Sequence, residues 1–182
     1  MTLRDLLDKT TGPLNGVLAL DFGQAAVSPI AASYLGMLGA TVIKVEQPSG
    51  DLVRWVTPTI GDTGTTFIGN NITKLGVVVD LKNPGGLARA KSLIADADVL
   101  IENFRSPAIM QRLGLGYEVM RQINPRIIYV QASAFGRDGP WVGRFSHEWI
   151  AQTVSGFVSV TGDADGVPEW SRGTANLGMA RW

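Results

Sequence analysis

His147 is the only histidine of the sequence, and Glu148 follows it directly. An imidazole titrates near neutrality, so an imidazole beside a carboxylate is a natural pair for general acid–base chemistry. A lone histidine at the start of a helix serves structure just as well. The pair closes a long glycine-bearing stretch, "SAFGRDGPWVGRFSHEW", in which Gly136, Gly139 and Gly143 surround Arg137, Asp138 and Arg144. Long ordered loops after strands commonly carry function. Two shorter stretches hold other useful groups. "DFGQAAVSP" runs from an apolar segment into Ser28-Pro29, where free helix amides could meet an anion. "ENF" places a charge, an amide and a ring together, which suits either a ligand cap or a satisfied corner. Neither a GxGxxG nor a Walker pattern is present, so a nicotinamide or nucleoside-triphosphate site has little support.

The elements that must position these groups are strands alternating with helices. Apolar runs at residues 16–22 ("GVLALDF"), 41–46 ("TVIKVE"), 76–81 ("GVVVDL"), 98–104 ("DVLIENF") and 126–133 ("RIIYVQAS") read as strands. Ser28-Pro29 reads as an N-cap and first helical position. Ile30, Ala31, Tyr34, Leu35 and Leu38 follow at helical spacing, and Gly39 ends the helix. Asn83-Pro84 opens a second helix with Leu87, Ala90, Ile94 and Ala97 on one face, and residues 147–156 form a third. Residues 47–65 read as a loop. Near-continuous apolar strands between amphipathic helices predict an α/β fold with a parallel sheet covered on both faces. In such a sheet, ligands sit where strands end and helices begin, which is where the three stretches fall.

The totals narrow the class. A chain of 182 residues is about one domain, and 45% hydrophobic with 18% charged residues is a globular composition. Sixteen basic residues balance sixteen acidic ones, which gives no electrostatic case for nucleic acid or anionic lipid. The sequence has no cysteine, so it has no disulfide, thiolate metal site or cysteine nucleophile; this suits a cytoplasmic setting. Neither a signal core nor an apolar run of membrane-spanning length is visible, and no metal is expected.

The succession of motifs resembles the family III CoA-transferases, which include formyl-CoA and carnitine CoA-transferases and the α-methylacyl-CoA racemases. The resemblance is carried by "GPLNGVLALDFGQAAVSPIAASYLGMLGATVIKVEQPSGDLVRW", "TKLGVVVDLKNPGG", "ADVLIENFRSPAIMQRLGLGYEVMRQINPRIIYVQASAFGRDGP" and "HEWIAQTVSGFVSVTG", and covers residues 12–166. It implies a Rossmann-like large domain that binds coenzyme A. Residues 1–182 would be the N-terminal part of that domain, with the family's smaller domain absent. Pairs of chains in the family thread through each other, so a homodimer or a complementary chain is implied. Residue by residue, the resemblance points to Gln24, Ala25, Ala26, Val27, Lys44, Gln47, Lys74, Asn103, Phe104 and Arg112 as coenzyme A contacts. Gln47 departs from an arginine sometimes found at its position.

The transferases of that family use an aspartate nucleophile, and the racemases a histidine with an aspartate. His147 and Glu148 resemble the racemase pair. The shared aspartate is expected at residues 174–178, where this sequence reads "TANLG" and holds no carboxylate. Asp163, Asp165 and Glu169 are nearby but read as a solvated turn. Three functions follow as expectations. The first is CoA transfer between an acyl-CoA and a carboxylic acid, impaired by truncation. The second is racemase-like proton transfer by His147, or a non-catalytic CoA-binding fragment or subunit. The third and weakest is a nucleotide binder unrelated to CoA.

Overall fold

Along the first strand, β1 (Leu18–Asp21), successive side chains alternate between the two sides of the sheet, yet all four residues are buried. Only a central strand covered on both faces allows this. A computed structural model, describing residues 11–136, 138–144 and 146–170, shows that arrangement. After β1 come helix α1 (Val27–Met37), strand β2 (Thr41–Glu46), a 3-10 turn (Leu52–Trp55), and a small hairpin of β3 (Thr59–Ile60) and β4 (Thr63–Gly64). Helix α2 (Thr65–Asn70), strand β5 (Lys74–Val78), helix α3 (Pro84–Asp96) and strand β6 (Val99–Glu102) follow. Helices α4 (Pro107–Arg112) and α5 (Tyr117–Ile123), strand β7 (Ile128–Gln131) and helix α6 (Glu148–Val154) complete the order, with a 3-10 turn at Phe157–Val160.

The five main strands are parallel and lie in the order β5-β2-β1-β6-β7. The chain therefore builds outward from β1 through β2 and β5, then returns to β1's other side with β6. Between β1 and β6 the winding reverses, and their carboxyl ends open a crevice at that point. Leu18, Leu20, Ile43, Val45 and Leu100 pack on one face with Ala90 and Ile94 of α3, Met110 of α4 and Met120 of α5. Ala19, Val42 and Ile101 pack on the other with Ala32 of α1. Alanines make up much of that second layer, with Leu14, Val17, Leu35 and Val99 packed around it. A Cβ at Gly36 would lie 2.2 Å from Thr73 Oγ1, so a side chain there would require Thr73 to move.

The expected strands and both long helices are present, with informative shifts. Helix α1 starts at Val27 with Ala26 as its cap residue, which puts Ser28 and Pro29 inside the first turn. Ser28 is buried against Gly23, where an added Cβ would sit 2.1 Å from Ser28 Cβ. Its hydroxyl packs rather than caps. β5 begins at Lys74, earlier than expected, where it pairs in register with Val42, and the Lys74 ammonium reaches Asp21. The expected loop at residues 47–65 holds a 3-10 turn, a hairpin and the first residue of α2. α4 and α5, of six and seven residues, are too short for periodicity to reveal. Among the described residues, no helix is long and apolar enough to cross a membrane.

Leu100 is fully buried in β6, next to β1. Leu100→Ala should lower stability by about 2–5 kcal/mol, read as a fall in the urea unfolding midpoint.

Candidate functional site

Residues 23–25 carry the chain from β1 to α1, and side chains bond every one of their backbone polar groups. The Gly23 N–H donates to Asp21 Oδ1 (2.9 Å), and its carbonyl accepts from Lys44 Nζ. Gln24 is clamped twice by Asn103: its N–H donates to Asn103 Oδ1 and its carbonyl accepts from Asn103 Nδ2, each at 2.8 Å. The Ala25 N–H donates to the Asp51 carboxylate (3.1 and 3.2 Å), and its carbonyl accepts from Asn70 Nδ2 (2.8 Å). Ala25 sits at φ 63°, in the left-handed region that a residue with a Cβ rarely adopts. Side chains from β1, β2, α2 and the segments just after β2 and β6 thus hold one short turn.

Three of these groups, Asp21, Lys44 and Asp51, belong to a buried charge cluster on the α1 face of the sheet. Asp21 and Lys44 are register partners on adjacent strands, with Nζ 3.6 Å from Asp21 Oδ2 and 3.0 Å from Asp51 Oδ2. Lys74 Nζ donates to Asp21 Oδ2 (2.7 Å), the Pro29 carbonyl (2.7 Å) and Asn71 Oδ1 (2.8 Å). Both lysine side chains are 2% exposed. Burial pulls the pKa of Lys74 down by more than the charge of Asp21 restores. Beside the cluster, Glu46 accepts a two-pronged contact from Arg54 (2.7 and 2.6 Å) and the Asp51 N–H (2.9 Å). Burial pushes the Glu46 carboxyl up, but these bonds and the charges of Arg54 and Lys44 outweigh it and hold the pKa below its ordinary value. The bond to Glu46 raises Arg54 in turn. Arg54 also lies 3.6 Å above the ring of Phe67.

Above the turn is a cleft of about 660 Å³ at the carboxyl ends of β1, β6 and β7. Each of the three stretches singled out in the sequence contributes to its wall. Ala25, Ala26 and Val27 come from the first, Asn103 and Phe104 from the second, and residues 132–136 with His147 and Glu148 from the third. His147 is exposed at the cap position of α6, its ring 5.7 Å from Trp149 in a T-shaped contact. Glu148 Oε1 accepts from Gln152 (2.9 Å). Arg105 and Arg144 bring positive charge to the same wall.

Behind Phe104, the fully buried Glu102 fixes the second stretch. It accepts from the Phe104 N–H (2.6 Å), Tyr129 Oη (2.6 Å) and Gln131 Nε2 (2.7 Å).

Other expected contacts lie elsewhere. The resemblance implied that Lys44 and Lys74 contact coenzyme A, but their ammonium groups are enclosed and bonded to carboxylates and carbonyls of the protein. They hold the turn from beneath. Gln47 is exposed and reaches back to the Gly50 carbonyl (3.3 Å). Arg112 ends α4 on the surface, away from the cleft wall. Gln24 meets the site through its backbone. Arg137 and residues 174–178 lie outside the described residues. Asp51 and Asn70 lie outside all three stretches, while Asp21 and Glu102 lie within them without their partners being visible along the chain. A signal existed for Asp21 and Asp51: a lysine inside the apolar run "TVIKVE" must find buried acids.

A parallel sheet wound both ways, with a cleft at its reversal point, is the doubly wound α/β architecture, in which ligands commonly sit outside the strand ends. The chain belongs to CoA-transferase family III, whose sequence profile matches residues 14–176. It is 39% identical over 168 residues to an acetyl-CoA:oxalate CoA-transferase of Acetobacter aceti, covering 92% of this chain and 43% of that one. It is 38% identical over 161 residues to the succinyl-CoA–L-malate CoA-transferase β subunit of Chloroflexus aurantiacus, covering 87% and 40% respectively. A CaiB/BaiF family protein of Brucella suis superposes with a TM-score of 0.84 at 32% identity, covering 90% of this chain and 44% of that one. The chain therefore spans about two-fifths of the length of these relatives.

The depressed pKa of Glu46 sets a pH dependence. Its contribution to stability is complete above the ordinary carboxylate pKa of about 4.3 and is lost as pH falls through the lower folded value. Glu46→Gln should therefore lower the melting temperature at pH 7 and shrink the difference between pH 7 and pH 3.

Proposed function

We propose that this chain holds the CoA thioester of a family III CoA-transferase in the cleft at the ends of β1, β6 and β7. The overall reaction would move CoA between an acyl-CoA and a carboxylic acid. The convergence of the three stretches on one cleft at the sheet's reversal point carries this reading. The cleft's volume lies within the range of small-molecule and cofactor sites. Ala26 and Val27 bring the first amides of α1 to its wall, and Arg105 and Arg144 add charge suited to phosphate or carboxylate oxygens. Gln24, Ala25, Asn103 and Phe104 would shape the coenzyme's seat, with Lys44 and Lys74 supporting it from beneath.

The chemistry requires a carboxylate oxygen to attack the thioester carbonyl. The C–S bond then breaks, CoA leaves as a thiolate, and an acyl anhydride of the enzyme remains. The thiolate returns to the enzyme's carboxyl carbon and releases the acyl group as its acid. An acceptor carboxylate then takes CoA by the same two steps in reverse. Family resemblance puts the nucleophile at residues 174–178, where no carboxylate stands. The isolated 182-residue chain should therefore bind CoA and transfer none. A homodimer or a complementary chain would complete the site, and the relative named as a β subunit supports the second form. Titration calorimetry should show binding of CoA and none of NADH. With acyl-CoA, a carboxylate and hydroxylamine, no enzyme hydroxamate should form. Binding of NADH without CoA would overturn the reading, and a hydroxamate would overturn the lack of transfer.

A second reading rests on His147 and Glu148 both lining the cleft. His147 would take a proton from the α-carbon of a 2-methylacyl-CoA and return it. Deuterium from heavy water should then enter that position, and His147→Ala should abolish the exchange. Equal exchange in both proteins would remove His147 from the chemistry.

A further inference from the structure

Ala25 is one of two non-glycine residues described at positive φ, and it also lines the cleft. A left-handed alanine is unfavourable because its Cβ crowds the following carbonyl, so something must hold it there. The holding groups lie outside the cleft wall. Asp51 takes the Ala25 N–H, and Asn70, the last residue of α2, donates to the Ala25 carbonyl. Asp51 is itself fixed by Lys44 and by accepting the Val53 N–H (3.1 Å). The Asn70 backbone carbonyl is fixed separately, by Ser33 Oγ (2.8 Å) and Lys74 Nζ (3.2 Å), so its carboxamide is left to reach the turn.

From this geometry we infer that Asn70 and Asp51 are positioning residues for ligand binding. They keep the Ala25 peptide left-handed before the ligand arrives, so that the first amides of α1 face the cleft without rearrangement. The inference deepens the reading of the cleft as a CoA site and rests on it for the choice of ligand. Asp51 is buried in the charge cluster, so removing it disturbs folding as well as position. Asn70 is half-buried and uncharged, and is the better probe.

The inference predicts a rescue that a merely structural bond would not show. Without the Asn70 carboxamide, Ala25 leaves the left-handed region for part of the time, and binding must restore it. Glycine adopts that region at little cost, so a chain carrying Ala25→Gly has less need of the clamp. Coenzyme A titrated into the full chain should bind Asn70→Ala about tenfold more weakly than the unaltered protein. Against the background of Ala25→Gly, whatever its own affinity, adding Asn70→Ala should weaken CoA binding by no more than about threefold. In the ligand-free Asn70→Ala chain, the residue 25 amide should exchange with heavy water faster, while the Leu100 amide keeps its protection.

Unchanged CoA affinity together with unchanged exchange at residue 25 overturns the inference. Weakened binding that Ala25→Gly fails to rescue also overturns it, because Asn70 would then act on the ligand by another route. If the unaltered chain binds no CoA, the reading of the cleft fails. The exchange measurement then decides by itself whether Asn70 holds the turn.

Discussion

The turn at residues 23–25 leaves the central strand of the sheet where no neighbouring strand can complete its hydrogen bonding. Backbone polar groups removed from water must still be bonded, and here side chains bond all six. Four of the partners arrive from beyond β1: Lys44 in β2, Asp51 just after it, Asn70 at the end of α2 and Asn103 just after β6. The turn therefore takes its shape only when the whole β1–β2–β6 arrangement is in place. The cleft, whose floor it forms, inherits that dependence.

The charges under the turn follow from the same need. An ammonium group 2% exposed within an apolar strand is costly unless paired, and Lys44 finds Asp21 on one side and Asp51 on the other. Such a cluster adds little net stability over an apolar core, but removing one partner strands the others at about 3–5 kcal/mol. Its value here is geometric. Asp51 reaches Lys44, the Ala25 amide and the start of the 3-10 turn at once. The charges hold the backbone from below, while small, aromatic and arginine side chains line the cleft above. The family resemblance pointed to Lys44 and Lys74 as coenzyme A contacts; burial and distance put both ammonium groups on carboxylates of the protein instead.

Features carried by local pattern were legible. β1, β2 and β6 are apolar runs long enough to show, and α3 carries its Asn83 cap, which accepts from Gly85 N at 2.9 Å. Helices α2, α4 and α5 escaped because six or seven residues give fewer than two turns of periodicity. Ser28-Pro29 reads as a helix start by local rule, but Gly23 leaves a space that Ser28 fills, and the helix begins earlier. The three stretches of the site were visible from composition. Their meeting was not, since Gln24 and Asn103 are separated by 79 residues.

By itself, the sequence determined that apolar strands alternate with helices and that the chain resembles the CoA-transferases of family III. These are matters of residue type, spacing and motif, all carried along the chain. Burial on both faces holds for β1, β2 and β6, whereas the edge strands β5 and β7 keep exposed residues such as Val78 and Ile128. The tertiary structure decided which acid each lysine meets, which amide holds which turn, and which three loops share a cleft. Those pairings link residues such as Lys74 with Asp21, 53 positions apart, and Asn70 with Ala25, 45 apart. They depend on the sheet's strand order, which brings β6 back beside β1 and is not encoded in any single stretch of the chain.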